Sequence, residues 1–314
     1  TALRQAQGER KKAYFRNKTS MNNQDLKHET RVKFTSVPVY ARQIQPLAPL
    51  RLSPNSTAIF RQCRQQYKFR YIDKLGDKFR KARPYFTMAN HVHATLKDFF
   101  SDVPVELRTT QKITELLKKN WRRYAVGFRD KEDERRWADK ALAEVTSFVS
   151  NHDITARPVM LEHWVETQIT SGLILRGRVD RVDKGPDGGL HIIDYKTGNM
   201  PQDIDWTQVR LHALILSKRV RLPVVRISYL YLGPSILESV PLSLDDIDQT
   251  RWELLGIARK IRREKSYPPN PGPWCANCDF ISICPRKVDA APYEGPEGQL
   301  GLWDDIENDL KEKG

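Results

Sequence analysis

Apolar residues recur at helical spacing along the first half of the chain. The segments with this period are residues 53–71, 86–100 and 109–150, the last of them long enough for two or more helices. Ser53 fits the N-cap of the first helix, because a hydroxyl at that position followed by Pro54 is typical of a helix start. Within the third segment Trp121, Tyr124 and Phe128 stand at i, i+3 and i+7, which predicts one helical face.

The spacing changes to a period of two near Pro158, which indicates strands. The alternating segments are 158–170, 173–183 and 190–196. Short polar or glycine-rich connections separate them, so they predict a three-stranded antiparallel meander. Helical spacing returns over 206–219 and again over 249–266, and a β-rich run at 224–232 lies between these segments. The pattern therefore predicts an α/β fold with an N-terminal helical elaboration ahead of the sheet.

Three parts of the chain differ in pattern and charge. Residues 1–51 lack sustained periodicity and are predicted to form a disordered or lead-in tail. Residues 52–287 are predicted to form the folded domain, with a helical insertion at about 101–157. Residues 288–314 hold eight acidic residues against two lysines, together with prolines and glycines, and are predicted to form an acidic flexible tail.

The net charge favours a polyanionic partner. The 314 residues include 53 Lys and Arg against 39 Asp and Glu, a net charge of +14, and the part ahead of the acidic tail is more basic still. Nucleic acid is the leading candidate. No apolar run reaches the roughly 18 residues of a membrane span, and no apolar stretch follows the basic N-terminal residues as a secretion signal requires, so we expect a cytoplasmic protein.

The second and third predicted strands carry two carboxylates and a lysine. Asp194 and Lys196 share one face because residues two apart on a strand point the same way, and the hairpin can bring Asp180 beside them. Carboxylates hold hard divalent cations, and a lysine can orient or deprotonate an attacking water. The set predicts a phosphodiester hydrolysis site. The alternative is an ordinary hairpin with surface charges, which is the commoner meaning of an isolated D-x-K pattern.

Four cysteines form a second candidate site. Cys275, Cys278 and Cys284 have the spacing C-x2-C-x5-C, whereas Cys63 lies far upstream on the first predicted helix. A disulfide between residues three apart would be unusual and would leave the third cysteine of the triplet unexplained, so a metal site is favoured. Zinc with four thiolates and an iron–sulfur cluster with four thiolates both fit this count.

The hairpin segments have counterparts in a known family. Residues 177–183 read G-R-V-D-R-V-D, and residues 192–198 read I-I-D-Y-K-T-G. They resemble the RecB-like branch of the PD-(D/E)XK nuclease superfamily, and the resemblance extends over about 52–285. It implies a restriction-endonuclease-like α/β core, in which helices flank a central mixed sheet, and a metal-dependent nuclease activity.

The resemblance assigns roles to individual residues. It implies that Mg2+ or Mn2+ is bound by a set of four groups, which are His93, Asp180, Asp194 and the carbonyl of Tyr195. It implies a second set with catalytic or positioning roles, which comprises Lys196 as the catalytic lysine, Gln208, and Glu162 as the acidic residue upstream of the hairpin.

The same resemblance decides between neighbouring candidates. His93 fits the family spacing on its helix and is preferred to His91. Glu162 has the expected separation from the hairpin, whereas Glu166 fits a surface charge. The chain departs from the family at His212, where the motif on the following helix has Tyr, and this departure concerns substrate positioning more than metal binding.

The cysteine arrangement also resembles a known one. A single cysteine on an early helix, followed after the nuclease core by C-x2-C-x5-C, resembles the iron–sulfur signature of AddB-type nucleases and of the CRISPR-adaptation nucleases. It implies a four-iron, four-sulfur (4Fe-4S) cluster bound by Cys63, Cys275, Cys278 and Cys284. Such a cluster would tie the first ordered helix to the last segment and so restrict the unfolded chain. Zinc is the alternative.

Basic residues near the cysteines are candidates for DNA contacts. They are Arg61, Arg64, Lys68, Arg70, Arg259, Lys260, Arg262, Arg263 and Lys265. Tyr67, Tyr71 and Trp274 interleave with them, an arrangement suited to phosphate contacts and base stacking on single-stranded DNA. Each basic run by itself is typical of a solvated helix face.

These observations predict a metal-dependent DNA nuclease that acts on single-stranded ends or flaps in DNA repair, recombination or defence. The alternative is a catalytically silent iron–sulfur DNA-binding scaffold or a subunit of a helicase–nuclease complex. No G-x4-G-K-[ST] loop occurs in the chain, so a helicase would be a separate partner.

A peptide in the acidic tail is similar to a known docking motif. Residues 299–303 read Q-L-G-L-W and resemble the Q-L-[SD]-L-F peptide by which bacterial replication and repair enzymes bind the sliding clamp. The contacts would come from Gln299, Leu300, Leu302 and Trp303. The alternative is that these apolar residues fold back onto the nuclease domain as a strap.

Overall fold

A six-stranded mixed sheet lies at the centre of the computed structural model, which describes residues 48–286. Its strands are β1 (Leu50–Leu52), β2 (Met160–Thr170), β3 (Leu173–Lys184), β4 (Leu190–Lys196), β5 (Val224–Tyr231) and β6 (Ile236–Pro241). The order β1-β3-β4-β5-β6 runs through the sheet, and β2 pairs with β3 outside this path. The β1–β3 and β4–β5 pairs are parallel, and the other pairs are antiparallel.

Strands β2, β3 and β4 confirm the predicted antiparallel meander. The sequence pattern predicts neither β1 nor β6. Strand β1 has only three residues and β6 shows little alternation between buried and exposed positions, so neither has a detectable period of two. The predicted boundary of the N-terminal tail at residue 51 is therefore wrong, because Leu50–Leu52 already pairs with β3.

Helices cover both faces of the sheet, which confirms the predicted α/β architecture. They are α1 (Pro54–Gln62), α2 (Arg64–Tyr67), α3 (Gly76–Phe79), α4 (Pro84–Asp102), α5 (Thr110–Trp121), α6 (Lys131–Asn151), α7 (Thr207–Arg219) and α8 (Leu244–Arg263). Successive residues of a strand point to opposite faces, so Ile192 joins the core formed with α1, α7 and α8. Ile193 joins the second core, formed with α4, α5 and α6.

The first predicted helix is interrupted at Cys63. Its start is as expected, because the Ser53 hydroxyl accepts from the Ser56 N–H at 3.1 Å and the Ser56 hydroxyl accepts from the Ser53 N–H at 2.8 Å. Cys63 then adopts an extended conformation, with φ −153° and ψ 112°, and the chain continues as α2 and a π-helix over Lys68–Ile72. The continuous helix predicted over 53–71 is therefore wrong, and the break separates Cys63 from the regular backbone on either side.

The helix predicted through Trp121, Tyr124 and Phe128 is also wrong. Helix α5 ends at Trp121 and α6 begins at Lys131, so the other two aromatic residues lie in the connection. Gly127 adopts φ +87° in this connection, a conformation that is incompatible with a right-handed helix. The aromatic spacing reflects ring stacking instead, because the rings of Trp121 and Phe128 lie 5.9 Å apart and nearly parallel.

Three predictions fall on the ends of the chain. Residues 1–47 and 287–314 lie outside the described residues, so the disordered N-terminal tail, the acidic C-terminal tail and the clamp-binding peptide with Gln299, Leu300, Leu302 and Trp303 stay predictions. Among the helices of the described region, none has the length and apolar composition of a membrane span.

Candidate functional site

Strands β2 and β3 bring two acidic side chains to one point of the sheet. The register of this antiparallel pair places Glu162 opposite Asp180. Residues in that relation point to the same face of a sheet. Both side chains are buried, with 7% of Glu162 and 6% of Asp180 exposed. The backbone of Glu162 has φ +45°, a strained conformation of the kind that occurs at functional sites.

His93 of α4 joins these two carboxylates. Its Nδ1 lies 3.0 Å from Oε1 of Glu162 and 3.6 Å from Oδ2 of Asp180. The second carboxylate oxygen of Glu162 lies 3.1 Å from Nε of Arg178, so this side chain is held from both sides. One atom from each of His93, Glu162 and Asp180 lies within 4.8 Å of the others, and we call these three residues the donor group.

Burial determines the charges of the donor group. Desolvation and the Asp194 carboxylate raise the pKa of Asp180 to about 8, although His93 and Arg178 oppose this shift. Desolvation would lower the pKa of His93, but the charges of Asp180 and Glu162 outweigh it and raise this pKa. Desolvation likewise opposes the shift of Glu162, whose pKa is lowered by the hydrogen bond and charge of His93. The excess of buried carboxylate charge favours a proton on Asp180 or a bound cation.

A second group of polar side chains lies at the end of β4. Nζ of Lys196 is 2.6 Å from Oδ2 of Asp194 and donates to Oε1 of Gln208 at 2.8 Å. The Gln208 amide donates to Oδ1 of Asp194 at 2.7 Å, which closes a ring of three residues that we call the lysine network. The Lys196 side chain is 13% exposed and that of Asp194 is 2% exposed, so the network opens to solvent at the lysine.

The backbone of β4 connects the donor group to the lysine network. The N–H of Tyr195, which lies between Asp194 and Lys196, donates to Oδ2 of Asp180 at 2.8 Å. Asp180 therefore connects the donor group, to which it belongs, with the lysine network. The hairpin brings Asp180, Asp194 and Lys196 to one site, as predicted. The predicted metal contact of the Tyr195 carbonyl stays a prediction.

The donor group fits a hard divalent cation. Carboxylate oxygens and an imidazole are suitable ligands for Mg2+ or Mn2+, and the buried charge that raises the pKa of Asp180 is the charge that a cation would neutralise. The geometry places Glu162, predicted only in a catalytic role, among the closest donors. Asp194 contacts the other members of the lysine network, and its predicted role as a metal ligand stays a prediction.

Glu162→Gln is expected to weaken Mn2+ binding by about 10-fold or more, because the amide removes a charged donor and the ion pair with Arg178. Glu166→Gln is the matched control on the same strand, since Glu166 is exposed and pairs with Arg51. Isothermal titration with Mn2+ measures both variants. Equal loss of affinity in the two proteins would contradict a specific role for Glu162.

The two histidines of α4 have different surroundings. His91 stacks on the rings of Trp121 and Tyr124, at 4.9 and 4.4 Å between centres. Its Nε2 lies 2.9 Å from the Tyr124 carbonyl oxygen, so His91 faces the connection between α5 and α6. The structure thus places His93 beside the carboxylates and His91 against a loop.

Sequence reasoning missed one buried residue of the site, Arg178, and noted another, His212, only as a departure from the family motif. Arg178 stands inside the G-R-V-D-R-V-D segment, but its contact with Glu162 depends on the register of β2. His212 is buried on α7, one turn after Gln208, and desolvation lowers its pKa to about 4. Neither of its ring nitrogens has a hydrogen-bond partner among the described residues. A side chain at Gly177 would approach Nε2 of His212 to 2.6 Å, which explains why glycine begins the segment.

All four cysteines line one cavity that is open to solvent. The break after α1 contributes Cys63, and the segment after α8 contributes the other three. The backbone N–H groups of Asn270 and Gly272 donate to Sγ of Cys63 at 3.4 Å and of Cys275 at 3.5 Å. Hydrogen bonds of this kind to the sulfurs of a bound iron–sulfur cluster help to set its reduction potential. Burial raises the pKa of the Cys278 thiol to about 11, so metal binding there would release a proton.

The cysteine sulfurs are further apart than a zinc ion requires. Four sulfurs at 2.3 Å from a tetrahedral zinc ion lie about 3.8 Å from one another. In the described part of the chain, which includes all four cysteines, no three cysteine sulfurs lie within 4.8 Å of each other.

Ion pairs hold the cysteine segment against the first helices independently of any metal. Asp279 is buried and accepts from Arg70 at 2.7 Å and from Arg83 at 2.9 Å. Phe280, the next residue, packs against the ring of Phe69 at 5.5 Å. Two further basic residues have acidic partners, Arg64 with Glu264 and Lys68 with Asp73.

These contacts correct the predicted DNA surface near the cysteines. Arg64, Lys68 and Arg70 are paired with carboxylates of the protein itself. Tyr67, predicted to stack on bases, is buried in the core with 2% exposure. Tyr67 and Arg70 are therefore closed to a nucleic-acid strand, whereas the side chains of Arg64 and Lys68 stay partly exposed, at 46% and 36%.

The mixed sheet flanked by helices and the buried carboxylates beside a lysine are the features expected of a PD-(D/E)XK fold and site. The chain belongs to the PD-(D/E)XK nuclease superfamily, because the model of that superfamily matches residues 51–285. A curated relative is the Gene 69 protein of Mycobacterium phage D29, which is 28% identical over 171 residues. The match covers 52% of this chain and 60% of that protein, so this chain spans less than two thirds of the relative.

Two solved structures are similar over 64% of this chain. One is that of SSO0001, with 15% identity, a TM-score of 0.32 and 85% of its chain covered. The other is a protein from Eubacterium rectale described as a proposed exonuclease, with 13% identity, a TM-score of 0.34 and 77% covered. At these scores neither adds support to the assignment.

Proposed function

We propose that this protein is a Mg2+- or Mn2+-dependent deoxyribonuclease of the RecB-like branch that acts on single-stranded DNA ends or flaps. The observation that carries the proposal is the buried donor group beside the lysine network. Membership of the superfamily supports phosphodiester hydrolysis and DNA as the substrate. The net charge of +14 supports a polyanionic substrate.

Each group would have a separate task. The donor group would hold the metal ion, which when bound supplies a Lewis acid for the phosphate and lowers the pKa of an attacking water. The Lys196 ammonium has three N–H donors, of which Asp194 and Gln208 take two. The third is available on the exposed side to a phosphate oxygen, where it would offset the negative charge that develops during attack. Gln208 keeps the ammonium in place because it contacts both Lys196 and Asp194.

We further propose that a 4Fe-4S cluster occupies the cysteine cavity, bound by Cys63, Cys275, Cys278 and Cys284, in the manner of AddB-type nucleases. The shared cavity and the N–H bonds to two sulfurs support a metal group bound by these cysteines, and the resemblance to the AddB-type signature favours a cluster over zinc. Its role would be structural, because it joins the first helices to the last described segment.

The proposal also includes a pathway, which is DNA repair, recombination or defence, and protein partners. Repair, recombination and defence all consume single-stranded DNA ends, and a separate helicase would supply them. Both the helicase and the sliding clamp stay predictions.

Digestion of end-labelled DNA tests the proposed activity. The wild type is expected to shorten single-stranded DNA with Mg2+ or Mn2+ and to stop when EDTA is added. Asp194→Ala is expected to be inactive, because Lys196 loses the carboxylate 2.6 Å away that positions it. Asp248→Ala, on the exposed face of α8, is the control and should cleave at the wild-type rate. Wild-type cleavage by Asp194→Ala would refute the assignment.

A further inference from the structure

The connection between α5 and α6, residues 122–129, is held in one conformation against α4. Thr87 donates from its hydroxyl to the carbonyl oxygen of Val126 at 2.7 Å. Gly127 lies so close to the chain at Arg83 that an added Cβ would be 2.6 Å from the Arg83 nitrogen. We call these residues the 122–129 loop, and its contacts show that it is built into the fold rather than loosely attached.

Tyr124 connects this loop to the donor group. Its ring packs on that of His91 at 4.4 Å between centres, with a tilt of 36°, and His91 stands two residues before His93 on α4. Burial raises the pKa of Tyr124, and a hydrogen bond between its side chain and that of Asn90, also on α4, opposes this shift. The loop therefore packs on the helix that carries His93 of the donor group.

The 122–129 loop presents unpaired positive charge next to an accessible ring. Arg122 and Arg123 are exposed, and neither has an acidic partner in the described part of the chain. Arg129, at the other end of the loop, pairs with Asp133 at 3.3 Å. The Tyr124 side chain is 40% exposed, so part of its ring is open to a ligand.

Near the cysteines Arg64, Lys68 and Arg70 are paired with carboxylates. Arg259, Lys260, Arg263 and Lys265 are exposed and have no ion pair among the described residues, but the 122–129 loop places its arginines next to an exposed ring that packs on α4.

We propose that the 122–129 loop binds the incoming single-stranded DNA, with a base stacked on Tyr124 and phosphates contacting Arg122 and Arg123. This inference rests on the proposed function and names the surface that selects its substrate. Aromatic rings beside cations bind single strands, because the faces of unpaired bases are free to stack. In a duplex the bases already stack on each other, so the loop would favour single-stranded ends.

Binding to the full-length protein in buffer without Mg2+ or Mn2+ tests the role of Tyr124. Fluorescence anisotropy with a labelled single-stranded oligonucleotide should show about 10-fold weaker binding for Tyr124→Ala, because one stacked base is lost. Tyr124→Phe keeps the ring and should bind like the wild type. Trp252→Ala removes another exposed aromatic residue, on α8, and should leave the affinity unchanged.

The arginines are tested by the salt dependence of the same binding. The double variant Arg122→Gln, Arg123→Gln should reduce the slope of log affinity against log salt concentration by about 1.4, since each phosphate contact to a single strand contributes about 0.7. Arg226→Gln is the control for loss of an exposed positive charge elsewhere and should leave the slope unchanged, because Arg226 lies on β5 at the opposite end from the residue paired with Lys196. Each single variant, Arg122→Gln or Arg123→Gln, removes the same charge as this control and should reduce the slope by about 0.7.

Three results would overturn the inference. They are wild-type affinity in Tyr124→Ala, an equal loss for single-stranded DNA and a blunt duplex, and a loss in Tyr124→Phe as large as in Tyr124→Ala. Melting temperatures identify any variant that is unfolded, and the Phe variant then decides the role of the ring. An inactive Asp194→Ala together with unchanged binding by Tyr124→Ala would remove only this inference, whereas a fully active Asp194→Ala would remove the proposed function.

Discussion

Replacing Asp180 with Asn will lower the rate of DNA cleavage by at least about 1,000-fold. Asn has nearly the same shape as Asp and can still accept the hydrogen bond from the Tyr195 N–H, now 2.8 Å long. The substitution removes the charge of a buried donor that lies 3.6 Å from Nδ1 of His93. The donor group then keeps only one of its two carboxylates, so Mn2+ affinity should fall together with the rate.

Lys196→Met distinguishes the role of the lysine network in cleavage from the role of the donor group in metal binding. It should be as inactive as Asp180→Asn but should keep its Mn2+ affinity, because the lysine contacts Asp194 and Gln208 rather than the donor group. Initial rates on end-labelled single-stranded DNA and isothermal titration with Mn2+ measure the two effects, with Asp248→Asn as the exposed control. Loss of Mn2+ binding in Lys196→Met as complete as in Asp180→Asn would contradict this division.

The same titrations carried out across a range of pH report on Asp180 directly. Its pKa of about 8 means that the metal-free protein holds a proton on this carboxyl at neutral pH. A metal ion must displace that proton, so the apparent Mn2+ affinity of the wild type should rise with pH and level off above about pH 8. In Asp180→Asn this part of the dependence should disappear, since the amide does not titrate.

Cys63→Ser will lose its iron and a large part of its stability. Anaerobically purified wild type is expected to be brown with about four irons per chain. The cluster would close a loop that includes nearly the whole nuclease domain, so its loss should cost about 4 kcal/mol of unfolding free energy and lower the melting temperature by roughly 10 °C. The variant should still fold, because Asp279 holds the cysteine segment through Arg70 and Arg83.

Gln62→Ala is the matched control for Cys63→Ser. It changes the neighbouring side chain but keeps the backbone carbonyl that accepts from Nδ2 of Asn270 at 2.8 Å. Its iron content, colour and melting temperature should match those of the wild type. Colourless, stable wild-type protein that contains stoichiometric zinc would show that the site binds zinc and not a cluster. An unchanged melting temperature in iron-free Cys63→Ser would contradict the structural role of the cluster.

Local periodicity was enough to predict most of the secondary structure. Strand β2 alternates because one of its faces is more buried than the other, whereas β3 and β4 are buried on both faces between the two cores and are recognised by their apolar residues and the turns beside them. Helices α4, α5 and α6 repeat because each packs one side on the core. Asp180, Asp194 and Lys196 could be recognised as one site for the same reason. They belong to two strands joined by a short turn, so a local hairpin brings them together.

Features that depend on distant parts of the chain could not be predicted. Strand β1 exists because three residues pair with β3, more than 120 positions away. The break at Cys63 and the Gly127 conformation interrupt helices whose apolar spacing continues through them. The pairing of Arg70 with Asp279 could not be predicted either, because the local sequence around Arg70 indicates only a basic helix.

The sequence by itself determined the order of helices and strands and most of the residues that carry the chemistry, because both follow from local pattern and side-chain type. Only the tertiary structure decided that Glu162 joins His93 and Asp180, and that the unpaired arginines lie on the 122–129 loop. Register and burial are set by contacts between residues far apart in the chain. The pKa of about 8 for Asp180 has the same origin, since the fold removes water from this carboxyl and places other carboxylates beside it.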